Sequence, residues 1–234
     1  MKRIIIPAML VAVLLLGGSG CMQNNHVQNN PMQNINGAAL AYMEQKYGER
    51  FAYAAPYGDS MTGTHQLLVT CASLPDESIL VRVENYRRDD KVFLDNYLAV
   101  KYRGDTAAFL QSSADQVFGD ATVFYDVDMQ ALSPELSANA TLDDFLADTR
   151  VPLNVMVEVK AESTAYKDLA QQFADLLAVK GSHYYLSIVF VDGDKYDVTD
   201  SKALEQLMVS GEYSHCAKIT RLGDEIKVRW LEEE

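Results

Sequence analysis

The stretch TAYKDLAQQFADLLAVKGSHYYLSIVFV, residues 164–191, decides the fold class. Its first half places Tyr166, Leu169, Ala170, Phe173, Leu176 and Leu177 at three- and four-residue spacing, which predicts a helix over 164–180 with one apolar stripe. Gly181 then stops it, because glycine takes the left-handed conformation that closes a helix without a steric penalty. The second half, Tyr184 to Val191, is rich in aromatic and β-branched residues and reads as a strand. The same order of helix, glycine and strand recurs at Gly48 and Gly119, too loosely for a repeat.

Outward from that stretch, Asp192-Gly193 predicts a hairpin returning through Lys195 to Val198. A helix from Ser201 to Met208 follows, then strands over 213–222 and 225–231 joined at Gly223-Asp224. Upstream, Leu153 to Lys160 reads as a strand with Pro152 at its start, and Thr141 with Asp144 fits a capping box opening a helix through Ala147. Thr122 to Val127 reads as a strand and Thr106 to Phe118 as a helix. Residues 92–102 carry both strand and helix patterns, with helix from Asp95, bent near Gly104, the preferred reading. Leu67 to Ala72 and Ile79 to Tyr86 form an expected hairpin around Leu74-Pro75-Asp76-Glu77. Phe51 to Ala55 reads as a short strand, and Ala38 to Tyr47 as the opening helix.

Antiparallel hairpins grouped with helices argue an α+β fold with helices on one face of the sheet. About 200 residues from position 37 onward suffice for one core, arranged as one domain over 37–234 or as two similar lobes meeting near 131–140. Met22 to Asn36 has no charged residue and is dense in Asn and Gln, so residues 21–36 read as a flexible tether.

The N-terminus decides where the domain is displayed. Lys2 and Arg3 precede an apolar run from Ile4 to Leu16, then Gly17-Gly18-Ser19-Gly20 and Cys21. The run is too short for a permanent span, which takes about twenty residues, and reads as a cleaved secretory signal over 1–20. Its ending resembles the lipobox of bacterial lipoproteins, although Gly18 stands where that pattern usually has leucine. The resemblance implies lipid attachment at Cys21, membrane anchoring through that lipid, and display on the extracytoplasmic face of the cell membrane. In general layout the chain looks like small lipoproteins of Gram-positive bacteria.

Losing Lys2 and Arg3 with the signal takes the net charge from −13 to −15. Such a surface repels phosphates, which argues against nucleic acid as a partner. With Cys21 assigned to lipid, Cys71 and Cys216 remain, either as a disulfide or as two buried thiols in strands.

Three strings carry candidate chemistry. Gly58-Asp59-Ser60-Met61-Thr62-Gly63 resembles the nucleophile block of GDS-type esterases, which implies Ser60 as nucleophile. Such a serine needs a histidine base, but Lys180 and Glu212 stand three residues before the late histidines His183 and His215, where that family has aspartate. Asp192, Asp194, Asp197 and Asp200 offer oxygens to a hard cation, yet their spacing departs from the EF-hand loop, so no metal or other cofactor is expected. In Ser214-His215-Cys216, strand alternation points the histidine and cysteine to opposite faces. Tyr53, Tyr57, Tyr86, Tyr97 and Tyr102 are candidates for lining a cleft. The expected function is a lipid-anchored, non-catalytic binding domain with an envelope protein as partner; the alternative is a secreted esterase using Ser60. Cys21→Ala is expected to release the protein from the membrane pellet; retention of an unprocessed mass in that pellet contradicts lipidation.

Overall fold

Strand pairing divides the chain between two sheets. In the computed structural model, which describes residues 31–60, 63–129, 132–133, 136–160, 165–193, 196 and 198–231, helix α1 (Pro31–Tyr47) leads into β1 (Phe51–Ser60), β2 (Thr64–Cys71), β3 (Leu74–Glu84) and β4 (Val92–Asp95). These four strands pair in sequence order, each antiparallel to the next. Helices α2 (Tyr97–Lys101) and α3 (Arg103–Phe118) carry the chain to the second sheet. That sheet is built from β5 (Ala121–Tyr125), β6 (Leu153–Lys160), β7 (Tyr184–Val191), β8 (His215–Leu222) and β9 (Glu225–Leu231), again in sequence order. Helix α4 (Leu142–Leu146) precedes β6, α5 (Tyr166–Val179) joins β6 to β7, and α6 (Ser201–Ser210) joins β7 to β8. Residues 1–20, Cys21 and the tether as far as residue 30 lie outside the described residues, as do the side chains of Asp59 and Ser60.

The α+β class holds, and one core serves both sheets. Leu67, Val69 and Val81 of the first sheet, and Val157, Ile188 and Ala217 of the second, belong to one continuous buried cluster. The predicted stripe of α5 supplies Ala170, Phe173, Ala174 and Leu177, all fully buried. Truncating a buried phenylalanine such as Phe173 to alanine typically costs about 3–5 kcal/mol. Gly181 has φ +81° and ends α5 as expected. The Thr141 hydroxyl accepts from Asp144 N–H while the Asp144 carboxylate accepts from Thr141 N–H, completing the capping box.

Four local expectations change. The helix begins at Pro31, inside the stretch read as tether; proline suits a first helical turn, and Ile35 is buried against the core. The strand expected to stop before Pro56 continues to Ser60, because β1 is a sheet edge where register shifts at 53–55 and 56–58 accommodate the proline. The β2–β3 hairpin turns at Ala72-Ser73, with Cys71 opposite Leu74, so Leu74 starts β3 instead of a turn. Most consequentially, among the described residues Asp192-Gly193 makes no hairpin, since β6 and β8 occupy both edges of β7. Because α5 crosses back over the sheet, β7 lies parallel to β6, and its other edge pairs antiparallel with β8 after α6 has intervened. The chain changes sheet across α2 and α3, upstream of residues 131–140, of which Leu132 and Ser133 are buried.

Asp95 explains how both readings of 92–102 coexist. It ends β4, and its Oδ1 accepts from Tyr97 N–H at 3.1 Å as α2 begins. The same buried carboxylate accepts from Tyr47 Oη at 2.6 Å, Tyr42 Oη at 2.8 Å and Lys46 Nζ at 2.7 Å, which bolts α1 onto the first sheet. Burial first, then the Asp95 charge, hold the Tyr42 and Tyr47 phenols well above the ordinary range. The folded state therefore keeps protons that the unfolded chain gives up near pH 10, so this stability is complete below pH 10 and lost as pH rises beyond it. Tyr47→Phe is expected to flatten the fall in stability by up to about 1.4 kcal/mol per pH unit above pH 10. Denaturant melts between pH 9 and 11 check this, and an unchanged slope contradicts it.

Candidate functional site

The second sheet offers two faces of different character. Its inner face joins the common core under α3 and α5, through Val155, Val157, Leu186, Ile188, Ala217 and Ile219. Alternation sends the intervening side chains to the outer face. There the register aligns cross-strand rows. One runs from Glu158 of β6 through Val189 and Cys216 to Leu231 of β9. Helix α6 lies over this row, burying Leu204 against Val189, Val191 and Cys216. Asp200 caps α6 by accepting from Ala203 N–H at 2.8 Å, and the fully buried Glu158 carboxylate accepts from Val198 N–H at 3.2 Å, holding the approach to the helix.

Two further rows run beside the one under α6, the nearer packing its Phe124 and Met156 half-buried against the edge of the α6 cluster. Phe124, Met156, Ser187, Lys218 and Arg229 form one straight line across all five strands. Asn154, Tyr185, Thr220 and Lys227 form the other. Between these rows and the start of α6 opens a groove of about 680 Å³, within the range of small-ligand sites. Phe124, Met156, Tyr185, Asn154 and Ser187 line its floor, and Asp126, Thr199, Asp200, Ser201 and Glu205 its rim. Tyr185 is 45% exposed, unusual for so large a ring in the middle of a sheet. The Asp126 carboxylate accepts from Val127 N–H at 2.7 Å and stands 3.6 Å from Arg103 Nε. An aromatic floor with carboxylate and hydroxyl groups around it can hold an apolar body and orient polar ends.

The residues singled out from sequence fall elsewhere. Ser60 ends an edge strand of the first sheet, whereas His183 and His215 belong to the second. His183 Nε2 accepts from Gly223 N–H at 2.7 Å, fastening the β8–β9 hairpin, and the His215 ring stacks on Tyr166 with centroids 3.6 Å apart. Cys71 and Cys216 are free, so the candidate disulfide is not formed. The two thiols sit on different sheets in separate apolar clusters, and burial pushes Cys216 up to about 11. Asp194 and Asp197 lie outside the described residues. Of their companions, Asp192 accepts from Ser214 Oγ and Asp200 is spent on the α6 cap. The five tyrosines do not converge. Tyr53 and Tyr57 are exposed on β1, Tyr86 stands near His65, Tyr97 donates to Glu49 at 2.7 Å, and Tyr102 donates to the Ala140 carbonyl at 2.6 Å. Tyr185 was missed because its neighbour Tyr184 is fully buried, and only the strand period separates the two.

No protein-family profile matches the chain, and none of the curated proteins does. Among solved structures, the chain is similar to the crystal structure of a DUF5037 family protein from Ruminococcus gnavus ATCC 29149, at 11% identity with a TM-score of 0.39, covering 82% of this chain and 94% of that one.

Proposed function

We propose that this chain is a lipid-anchored surface protein whose α+β domain binds an envelope component without transforming it, through the groove on the outer face of the second sheet. The anchor reading rests on the basic start, the short apolar run and Cys21. The binding reading is carried by one observation: α6 buries one row of the outer face and only half-covers Phe124 and Met156, which with the exposed Tyr185 line an open groove. Large apolar side chains gathered on an open, concave face are a recurring mark of recognition.

A photoreactive phenylalanine analogue in place of Tyr185, in the lipidated protein on cells, is expected to give one discrete mass increase on irradiation. The same analogue in place of Tyr53, exposed on β1, is expected to give none. No adduct at 185, or the same adduct from 53, contradicts the groove as the contact site. In parallel, Ser60→Ala is expected to leave background turnover of p-nitrophenyl acetate unchanged, and a clear drop would restore the esterase reading.

A further inference from the structure

The floor of the groove lies between charges of opposite sign. At one side stand Glu205 of α6, the α6 cap residue Asp200, and Asp126 just after β5, which shares its charge with Arg103 at 3.6 Å. Beyond the far side of the floor, the row Phe124–Met156–Ser187 continues into Lys218 and Arg229 on β8 and β9, both exposed. Like charges placed directly opposite each other on neighbouring strands are destabilising. Here they sit in a chain of net charge −13, yet among the described residues neither makes an ion pair. Lys227, in the adjoining row, by contrast stands 3.3 Å from the Glu225 carboxylate.

We infer that the groove takes a short zwitterionic peptide, its terminal ammonium at the Asp126/Glu205 side and its terminal carboxylate at Lys218 and Arg229. The inference rests on the binding reading above and adds the ligand. From β5 to β8 is three strand spacings, roughly 14 Å. An extended chain advances about 3.3–3.6 Å per residue, so four residues span that distance. Between its ends, Tyr185, Phe124 and Met156 offer an apolar surface for side chains, and the Ser187 and Thr220 hydroxyls flank the path. A purely cationic ligand leaves Lys218 and Arg229 facing each other uncompensated, and a purely anionic one meets the carboxylates of the α6 rim. A molecule charged at both ends satisfies the two sides at once.

The test titrates the lipidated protein in nanodiscs with the tetrapeptide Ala-Ala-Phe-Ala, unmodified, N-acetylated, or C-amidated, by calorimetry. Each cap is expected to weaken binding about fivefold, the scale of one partly exposed ion pair. Glu205→Gln is expected to weaken the free peptide similarly and to leave the N-acetylated peptide unaffected. Lys218→Met with Arg229→Met is expected to weaken the free and acetylated peptides and to leave the C-amidated one unaffected. Tyr185→Ala, which changes no charge, is expected to weaken all three. Equal affinity for capped and free peptides, variant effects that ignore which end is capped, or no binding of the free peptide overturns the inference. If one of these results accompanies a discrete adduct at position 185, the groove still binds and only the ligand class is wrong. If position 185 also gives no adduct, the binding reading falls with it.

Discussion

A five-stranded sheet has two faces to cover, and among the described residues the second of them receives a single ten-residue helix. Helices α3 and α5 close the inner face over the shared core, but α6 fully buries only the row of Val189 and Cys216 and half-covers Phe124 and Met156 beside it. What remains is a surface whose composition follows from alternation. Every second residue of β6 and β7 is buried by the inner core, so Asn154, Met156, Tyr185 and Ser187 must face outward. The groove is thus a consequence of unequal coverage.

The first sheet serves a different end. Asp95 gathers Tyr42, Lys46 and Tyr47 of α1 onto the junction of β4 and α2. A buried carboxylate stripped of such partners is strongly destabilising, by about 3–5 kcal/mol. This network fixes the C-terminal turns of α1 against the first sheet. Docking of α1 and openness of the distant sheet face are separate properties, joined through the one core that both sheets share.

Much of this was legible locally. The α5 stripe, the Thr141–Asp144 capping box, the glycine at 181 and the Gly223-Asp224 hairpin each depend on residues within a few positions of one another, and each formed where the pattern placed it. Asp192-Gly193 carries an equally strong turn signal and failed, because the partner of β7 was decided by the α5 crossover and not by the dipeptide. Asp95 was readable as the start of a helix but not as a hub, since its partners in α1 lie some fifty positions away. The groove was illegible for the same reason: Phe124, Met156, Ser187, Lys218 and Arg229 become a row only through four successive registers. Tyrosines chosen by their position in the chain pointed instead to scattered structural roles.

The most direct test of the account is hydroxyl-radical footprinting of Tyr185 and Met156, in the purified protein and again on intact cells, with the fully buried Phe173 as reference. An open binding face predicts rapid oxidation at both residues in the purified protein and marked protection on cells, while Phe173 stays unmodified in both. Equal oxidation in the two settings, or protection already complete in the purified chain, would contradict the claim that this face is left open to receive a ligand.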